Sequence, residues 1–155
     1  MKTTCPFCEE NIEEITFLTS PNFRVIYNKA PVLPGHSMVI PKSHINSMLG
    51  LSKEQRHEMI ELSISAVKIL LNVFHANAFN WTIQEGTEAG QTIPHLHMHL
   101  IPRKENDLPN PGDWYPRLES QYKENQIDSE ARPKHSFEEM KEIVQYIRTY
   151  ISEQE

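Results

Sequence analysis

Two short stretches of this sequence carry side chains whose types and spacing suit chemistry. The first is Cys5-Pro-Phe-Cys8, which holds the only two cysteines of the chain. The second is the run from His95 to His99, in which histidines alternate with apolar residues. A Cys-x-x-Cys pair is compatible with a redox dithiol and with half of a zinc site, so its spacing leaves both chemistries open.

Alternation places the histidines on one face of a predicted strand, residues 95–102. Successive side chains of a strand point to opposite faces, so His95, His97 and His99 would lie together while the intervening apolar residues face the core. Three imidazoles on a solvent-facing strand surface would repel one another once protonated, so a row without function is disfavoured. Two interpretations remain, a metal site and a catalytic face on which one imidazole is the nucleophile.

The loop before this strand favours the catalytic interpretation. It offers two glycine backbones, an amide and a hydroxyl, and all of these can hydrogen-bond phosphate oxygens. They belong to Gly86, Gly90, Gln91 and Thr92. Glu85 and Glu88 would repel a phosphate if they pointed inward, and both are therefore predicted to face solvent.

The elements that must position these residues follow from hydrophobic spacing and turn residues. Five β-prone runs are bounded by prolines, glycines and polar residues. They are residues 15–20, 23–28, 37–41, 78–84 and 95–102. Ser52 with Gln55, and Ser136 with Glu139, are predicted capping boxes before two helices. The pattern predicts an α+β domain with an antiparallel sheet, a long helix between strands and a C-terminal helix.

Length and charge limit the classes of protein. The 155 residues are predicted to form one domain, and residues 102–116, rich in proline, are expected to be irregular and exposed. The net charge of −6 argues against general nucleic-acid binding, and no apolar run is long enough for a membrane span. The N-terminal residues lack the apolar core of a secretory signal, so a cytoplasmic location with reduced cysteines is expected.

With these motifs together, the sequence resembles the histidine triad (HIT) family, whose signature is His-x-His-x-His followed by two apolar residues. The segment 28–44 is similar to that family's second conserved block. The segment 84–104 is especially similar to the fragile-histidine-triad branch, the dinucleoside polyphosphate hydrolases. The likeness covers residues 5–104, to which the proline-rich loop and a helix over residues 136–153 are added. It implies a HIT-like α+β fold with a five-stranded antiparallel sheet and two helices, and a homodimer.

The resemblance also implies a reaction. The central histidine, His97, would attack the α-phosphate of a dinucleoside polyphosphate or a related nucleotide conjugate. Water would then hydrolyse the nucleotidyl-histidine to a nucleoside monophosphate, or the nucleotidyl group would pass to another acceptor, and the sequence leaves hydrolase and transferase open. His99 and Gln91 would contact phosphate oxygens, and His36 would support them. The implied substrate-binding positions are Asn28, Gln84, Gly90, Gln91, Thr92 and His99. The substrate can arrive as a Mg²⁺ complex. Trp114 and Tyr115 lie where relatives have a mobile flap, and no role is assigned to them.

Bacterial relatives, and the galactose-1-phosphate uridylyltransferases, have a similar Cys-x-x-Cys before the first strand. There the pair binds zinc together with two histidines. The matching residues here are Cys5, Cys8, His44 and His95. The resemblance therefore implies a structural Cys₂His₂ zinc ion with no open coordination position. Eukaryotic members of the fragile-histidine-triad branch usually lack these cysteines, so the chain combines features of two branches.

Three alternatives remain open. The first is an adenosine phosphoramidase of the same family, although the C-terminal residues lack the tryptophan often found in that branch. The second is a non-catalytic nucleotide-binding protein on the same fold. The third is a glutaredoxin-like thiol oxidoreductase, because Cys-Pro-Phe-Cys and Thr92-Ile-Pro94 match that family's active site. Only four residues precede Cys5, too few for the strand that a glutaredoxin needs there.

Overall fold

The fold is that of a computed structural model, which describes residues 5–123 and 134–155, with side chains as far as Glu119 and again from Lys134. Five antiparallel strands form one sheet in the order β1-β2-β3-β5-β4. The strands are β1 (Thr16–Thr19), β2 (Phe23–Tyr27), β3 (Ser37–Pro41), β4 (Ala78–Thr82) and β5 (Met98–Arg103). The helices are α1 (Lys53–Val73), α2 (Trp114–Lys123) and α3 (Phe137–Ser152). The predicted α+β class, the antiparallel sheet and the two expected helices are confirmed.

Both expected helices begin at the capping boxes read from the sequence. Ser52 Oγ accepts from Gln55 N at 3.1 Å, and the Gln55 side chain accepts from Ser52 N at 3.0 Å. Ser136 and Glu139 form the same reciprocal pair before α3. Each box pairs amides that the helix itself leaves without acceptors, which explains why α1 and α3 begin at these positions.

The two faces of the sheet differ in what they carry: one holds most of the hydrophobic core, and the other holds His99. Strand register puts Tyr27, Ser37 and Leu100 on one face, and Tyr27 stacks there on Phe74 at the end of α1. That face, covered by α1, carries most of the hydrophobic core. His99 pairs with Met38 in the register and therefore lies on the opposite face.

The histidine strand begins later than predicted. β5 starts at Met98, so His95 and His97 precede the strand, and His95 lies in a bend. The neighbouring β3 ends at Pro41, which has no N–H to donate, and its carbonyl accepts from the His95 ring at 2.9 Å. Leu96 N bonds instead to Ile45 O at 2.6 Å. The sheet ladder therefore cannot continue back to His95.

The proline-rich segment is more ordered than predicted, because Arg103 anchors it. The guanidinium donates to both carboxylate oxygens of Asp107 at 2.9 Å, to Asn80 Oδ1 at 2.7 Å and to Pro111 O at 2.8 Å. The expectation that residues 102–116 are irregular and exposed is thus wrong at both ends. Pro102 lies buried in β5, and α2 begins at Trp114.

Helix α2 packs on the same face of the sheet as His99. Leu118 of α2 is 1% exposed and contacts Ile101 and Val32, and Trp114 packs against this cluster. Ile101 lies two residues beyond His99 on β5, so both side chains share one face. The helix therefore covers, at Ile101, the face of the sheet on which His99 lies. Within the described ranges, no helix is long and apolar enough to cross a bilayer.

Replacing Gly35 with alanine is expected to destabilise the fold next to His36. Gly35 has a φ of +90°, and an added Cβ would lie 2.8 Å from Phe74 Cδ2 and 2.9 Å from Pro102 Cγ. The left-handed backbone and the overlap together should lower the free energy of unfolding by about 2 kcal/mol or more, measured by urea denaturation. Gly112→Ala is the control, because nothing lies within 4 Å of its added Cβ. Equal losses in the two variants would contradict the explanation.

Candidate functional site

The three alternating histidines are buried, not solvent-facing. His95, His97 and His99 are 0%, 3% and 1% exposed. The structure therefore contradicts a solvent-facing row of histidines. The intervening Leu96 and Met98 do join the core. Buried polar side chains need hydrogen-bond partners, so each imidazole must be held by specific neighbours.

His97 is held in one tautomer by the backbone. Its Nδ1 lies 2.7 Å from the carbonyl oxygen of His95, and a carbonyl can only accept, so Nδ1 carries the proton. The lone pair is left on Nε2. Burial lowers the pKa of His97, and donation to the carbonyl opposes that shift only in part. The ring is therefore neutral near pH 7 and can act as a nucleophile through Nε2.

A second chain of imidazoles supports His99. The amide of Val32 donates to His36 Nδ1 at 3.0 Å, so neutral His36 must carry its proton on Nε2. That nitrogen lies 2.9 Å from His99 Nδ1, which accepts the proton's hydrogen bond. His99 is consequently the tautomer with N–H at Nε2. Since His99 Nδ1 is an acceptor, His99 offers one fixed donor to the site.

Two predicted binding residues, Asn28 and Gln84, are buried close to this face. Asn28 is 7% exposed, its Oδ1 accepts from Ala30 N at 2.9 Å, and its Nδ2 lies 3.3 Å from His36 Nε2. Gln84 is 9% exposed and its Nε2 donates to Thr82 Oγ1 at 2.9 Å. Its Oε1 is buried with no hydrogen-bond partner among the described residues. A buried amide oxygen of this kind can accept from a ligand hydroxyl or N–H.

The predicted phosphate loop is tied to a second loop. Gln91 Oε1 accepts from Gly86 N at 2.8 Å, and Gln91 Nε2 donates to Asn46 O at 3.1 Å. The Gln91 side chain thus bonds to the two loops rather than to a histidine. Gly90 has a φ of +90°, which an L side chain rarely adopts, and Thr92 is exposed.

The acidic residues of this loop differ in their surroundings. Glu88 is exposed as predicted, but Glu85 is half-buried, and the prediction that it faces solvent is wrong. Its carboxylate accepts from Ser47 Oγ at 2.9 Å and from Met48 N at 2.5 Å. Both partners lie in a distant part of the sequence, so no local pattern announced this contact. The carboxylate charge is directed at these donors.

Sequence reasoning also missed Phe7, the apolar residue between the two cysteines. Its ring is 7% exposed and meets the rings of His95 and His97 edge-on, with centroid distances of 5.6 and 5.4 Å. The only signal was an aromatic residue inside the Cys-x-x-Cys motif. This packing connects the N-terminal cysteine segment to the His97 ring.

The four residues matched to a metal site do come together. The Sγ atoms of Cys5 and Cys8 lie 3.4 and 3.5 Å from His95 Nδ1, Cys8 Sγ lies 3.4 Å from His44 Nδ1, and all four ligand atoms lie within 4.8 Å of one another. Metal bonds of about 2.3 Å to sulfur and about 2.1 Å to nitrogen at a tetrahedral centre would separate such atoms by about 3.6 Å. The cluster therefore fits a tetrahedral metal ion.

His95 presents the correct nitrogen to this cluster. Its Nε2 donates to Pro41 O at 2.9 Å, which leaves the lone pair on Nδ1 facing the sulfur atoms. Burial, the largest influence, lowers the pKa of His95, so the ring is neutral, the form that binds metals. One residue thus serves both groups of side chains, since its ring faces the cysteines and its carbonyl holds His97.

The structure thus combines a five-stranded antiparallel sheet with three buried histidines at alternate positions around the start of β5. Residues 9–106 match the HIT domain, and the chain belongs to the HIT family. The bis(5'-adenosyl)-triphosphatase of Dictyostelium discoideum is 36% identical over 143 residues, which are 90% of this chain and 87% of that protein. The resemblance read from the sequence is therefore confirmed.

Solved structures agree with the fold. The diadenosine triphosphate hydrolase of Plasmodium falciparum, in complex with cyclomarin A, superposes with a TM-score of 0.72 at 28% identity, covering 92% of this chain and 79% of that one. A Zn-bound histidine triad family protein from Mycobacterium smegmatis has a TM-score of 0.64 at 22% identity, covering 91% of this chain and 88% of that one. At that lower identity the second likeness concerns the fold alone.

Proposed function

We propose that this chain hydrolyses dinucleoside polyphosphates through a nucleotidyl-histidine intermediate and releases a nucleoside monophosphate. The observation that carries the proposal is the hydrogen bond from His97 Nδ1 to the His95 carbonyl, which directs the Nε2 lone pair away from the backbone. The relatedness to a bis(5'-adenosyl)-triphosphatase supports the substrate class.

The reaction has two steps. His97 Nε2 attacks the α-phosphorus, a phosphorus–nitrogen bond forms, and the bond from phosphorus to the bridging oxygen breaks as the remaining nucleotide leaves with that electron pair. Water then attacks the same phosphorus, and the electron pair of the phosphorus–nitrogen bond returns to Nε2. The proton of that water passes to solvent or to the product.

His99 stabilises the charge that develops on oxygen. Its Nε2–H, fixed by the hydrogen bond between His36 and its own Nδ1, donates to a phosphate oxygen in the transition state. Gln91 and Thr92 bind the other phosphate oxygens, and Gly90, whose N–H is bonded to Thr87 O, provides the left-handed turn that precedes them. Asn28 contacts the nucleoside, and the unpartnered oxygen of Gln84 accepts from one of its hydroxyls. We infer that the polyphosphate arrives as a Mg²⁺ complex, because the metal offsets its charge.

We also propose that Cys5, Cys8, His44 and His95 bind one structural Zn²⁺. Two thiolates and two imidazoles are a complete tetrahedral set, so the ion would supply rigidity rather than chemistry. The separations of the sulfur and nitrogen atoms support the assignment. The match of residues 9–106 to the HIT domain argues against the glutaredoxin-like alternative.

A homodimer is proposed through the edge of the sheet. β4 is an edge strand, and its Phe79 and Trp81 are 44% and 41% exposed. Neighbouring exposed aromatic side chains on a free strand edge suit a second copy of the strand. Cytoplasmic location and the absence of general nucleic-acid or membrane partners remain predictions from the sequence.

Replacing His97 with asparagine is expected to abolish turnover while leaving the fold intact. Asparagine retains a polar side chain but lacks the nucleophilic nitrogen, so release of adenosine monophosphate from diadenosine triphosphate should fall at least about a thousandfold. Chromatography of the products measures the rate, and mass spectrometry of the quenched wild-type protein should find the adduct on His97. His57→Asn, on the exposed side of α1, should retain full activity.

The choice of substrate separates the remaining alternatives. Diadenosine triphosphate and tetraphosphate should be cleaved faster, in kcat/KM, than adenosine phosphoramidate. The reverse order would identify a phosphoramidase, and binding without turnover of any of the three would identify a non-catalytic nucleotide-binding protein. Near-normal hydrolysis by His97→Asn would remove the nucleophile assignment.

Freshly purified protein is expected to contain about one zinc ion per chain, and Cys5→Ser should lose it, because a hydroxyl is a poor zinc ligand. Mass spectrometry of the metal content and thermal unfolding measure the two consequences, loss of zinc and lower stability. The His57→Asn protein is the matched control and should retain its metal. Finding no zinc in the fresh wild-type protein would refute the site.

A further inference from the structure

Residues 45–48, the bridging segment, join two parts of the site. The carbonyl of Ile45 accepts from Leu96 N at 2.6 Å, between the first two triad histidines. The carbonyl of Asn46 accepts from Gln91 Nε2 at 3.1 Å. Ser47 Oγ and Met48 N donate to the Glu85 carboxylate at 2.9 and 2.5 Å. One short stretch of chain is therefore bonded to both the histidine segment and the phosphate loop.

Glu85 is the charged member of this arrangement. Its carboxylate is half-buried and accepts two hydrogen bonds from the bridging segment, one of them from a backbone amide. Hydrogen bonds to an ionised acceptor are shorter and stronger than neutral ones. Glu85 also lies between Gln84, whose buried oxygen lacks a partner in the described chain, and Gly86, whose N–H holds Gln91. Fixing Glu85 therefore fixes both neighbours.

The other hydrogen bonds of the loop do not provide this attachment. Ala89 N and Gln91 N bond to Gly86 O, and Gly90 N bonds to Thr87 O, so these bonds shape the loop internally. Among the described residues, the hydrogen bonds that cross from residues 85–92 to the bridging segment come from the Glu85 and Gln91 side chains. Without Glu85, the Gln91 amide alone would have to hold the loop and also meet the substrate.

We infer that Glu85 is a positioning residue that sets the Gln91 amide for catalysis by locking the phosphate loop to the bridging segment. The inference rests on the proposed function, in which Gln91 contacts the phosphate. A carboxylate beside a polyanion site would ordinarily repel the substrate. Here its charge is directed at two donors of the bridging segment, so Glu85 contributes order without facing the phosphate.

The first test compares two glutamates of one loop. Glu85→Ala should lower kcat/KM for diadenosine triphosphate by about 10- to 100-fold, mainly through kcat, because outer residues that orient a binding group have effects of this size. Glu85→Gln should recover part of the rate, since its amide can still accept from Met48 N and donate to Ser47 Oγ. Glu88→Gln and Glu88→Ala remove the same charge from an exposed position and should leave kcat/KM within about twofold.

The second test asks whether Glu85 acts through Gln91. If it does, the double variant Glu85→Ala/Gln91→Ala should lose no more activity than Gln91→Ala alone, because the second change removes a group that is already misplaced. Independent losses that multiply would overturn the inference, as would an unchanged kcat in Glu85→Ala. If Glu85→Ala does not fold, Glu85→Gln and Ser47→Ala each weaken the same contact and replace it in the comparison.

The outcomes distinguish failure of the Glu85 positioning role from failure of the proposed hydrolase function. Turnover by the wild type together with full activity of Glu85→Ala removes only the positioning role. Turnover by the wild type with an inactive His97→Asn but an unaffected Gln91→Ala removes the role of Gln91, and with it that of Glu85. Absence of turnover in the wild type removes the proposed function itself.

Discussion

The site depends on one hydrogen bond, from His97 Nδ1 to the carbonyl oxygen of His95. It sets the tautomer and the plane of the His97 ring, and it can form only if the His95 peptide is itself immobile. Three contacts ensure that. The His95 ring donates to Pro41 O, Leu96 N donates to Ile45 O, and Phe7 packs on both rings. The His97 imidazole thus takes its orientation from the backbone that precedes β5.

The same principle extends through the buried polar groups. Burying imidazoles is costly unless their N–H groups and lone pairs find partners, and the chain supplies a partner for at least one nitrogen of each triad histidine. Val32 fixes His36, His36 fixes His99, and the candidate metal cluster occupies the remaining nitrogen of His95. Each interaction removes one alternative protonation pattern. The outcome is a single arrangement of donors and lone pairs, prepared before any substrate arrives.

Local sequence patterns predicted much of this fold. Contacts between residues distant in sequence account for most of the features that the patterns did not predict. Capping boxes and β-prone runs predicted α1, α3 and the sheet because such signals act within a few residues. The late start of β5 depends on Pro41, a residue of the neighbouring strand, and the order of the segment after it depends on the Arg103 anchor. The first dependence has no local signature. The second combines a local ion pair, Arg103 with Asp107 four residues later, and a distant contact to Asn80.

The site shows the same division. The candidate residues could be named because histidine alternation and the Cys-x-x-Cys pair are visible in the sequence. The orientation of each ring could not, since it depends on backbone carbonyls, an amide and neighbouring rings that take their positions only in the folded chain. Glu85 is the clearest example, because its role follows from Ser47 and Met48, which lie nearly forty residues before it.

The tautomer chain at His36 has a consequence for how the site meets a charged ligand. A backbone amide donates to His36 Nδ1, and His36 Nε2 donates in turn to His99 Nδ1, so hydrogen bonds already use both Nδ1 lone pairs. Burial lowers the pKa of His95 and His97, so these two imidazoles are neutral near pH 7. Under the proposed function, His95 and His97 would therefore contribute oriented dipoles rather than positive charge to the binding of a phosphate. The attraction of such dipoles falls quickly with distance. It is therefore strong for a phosphate bound in the site and weak for a polyanion at a distance in solution.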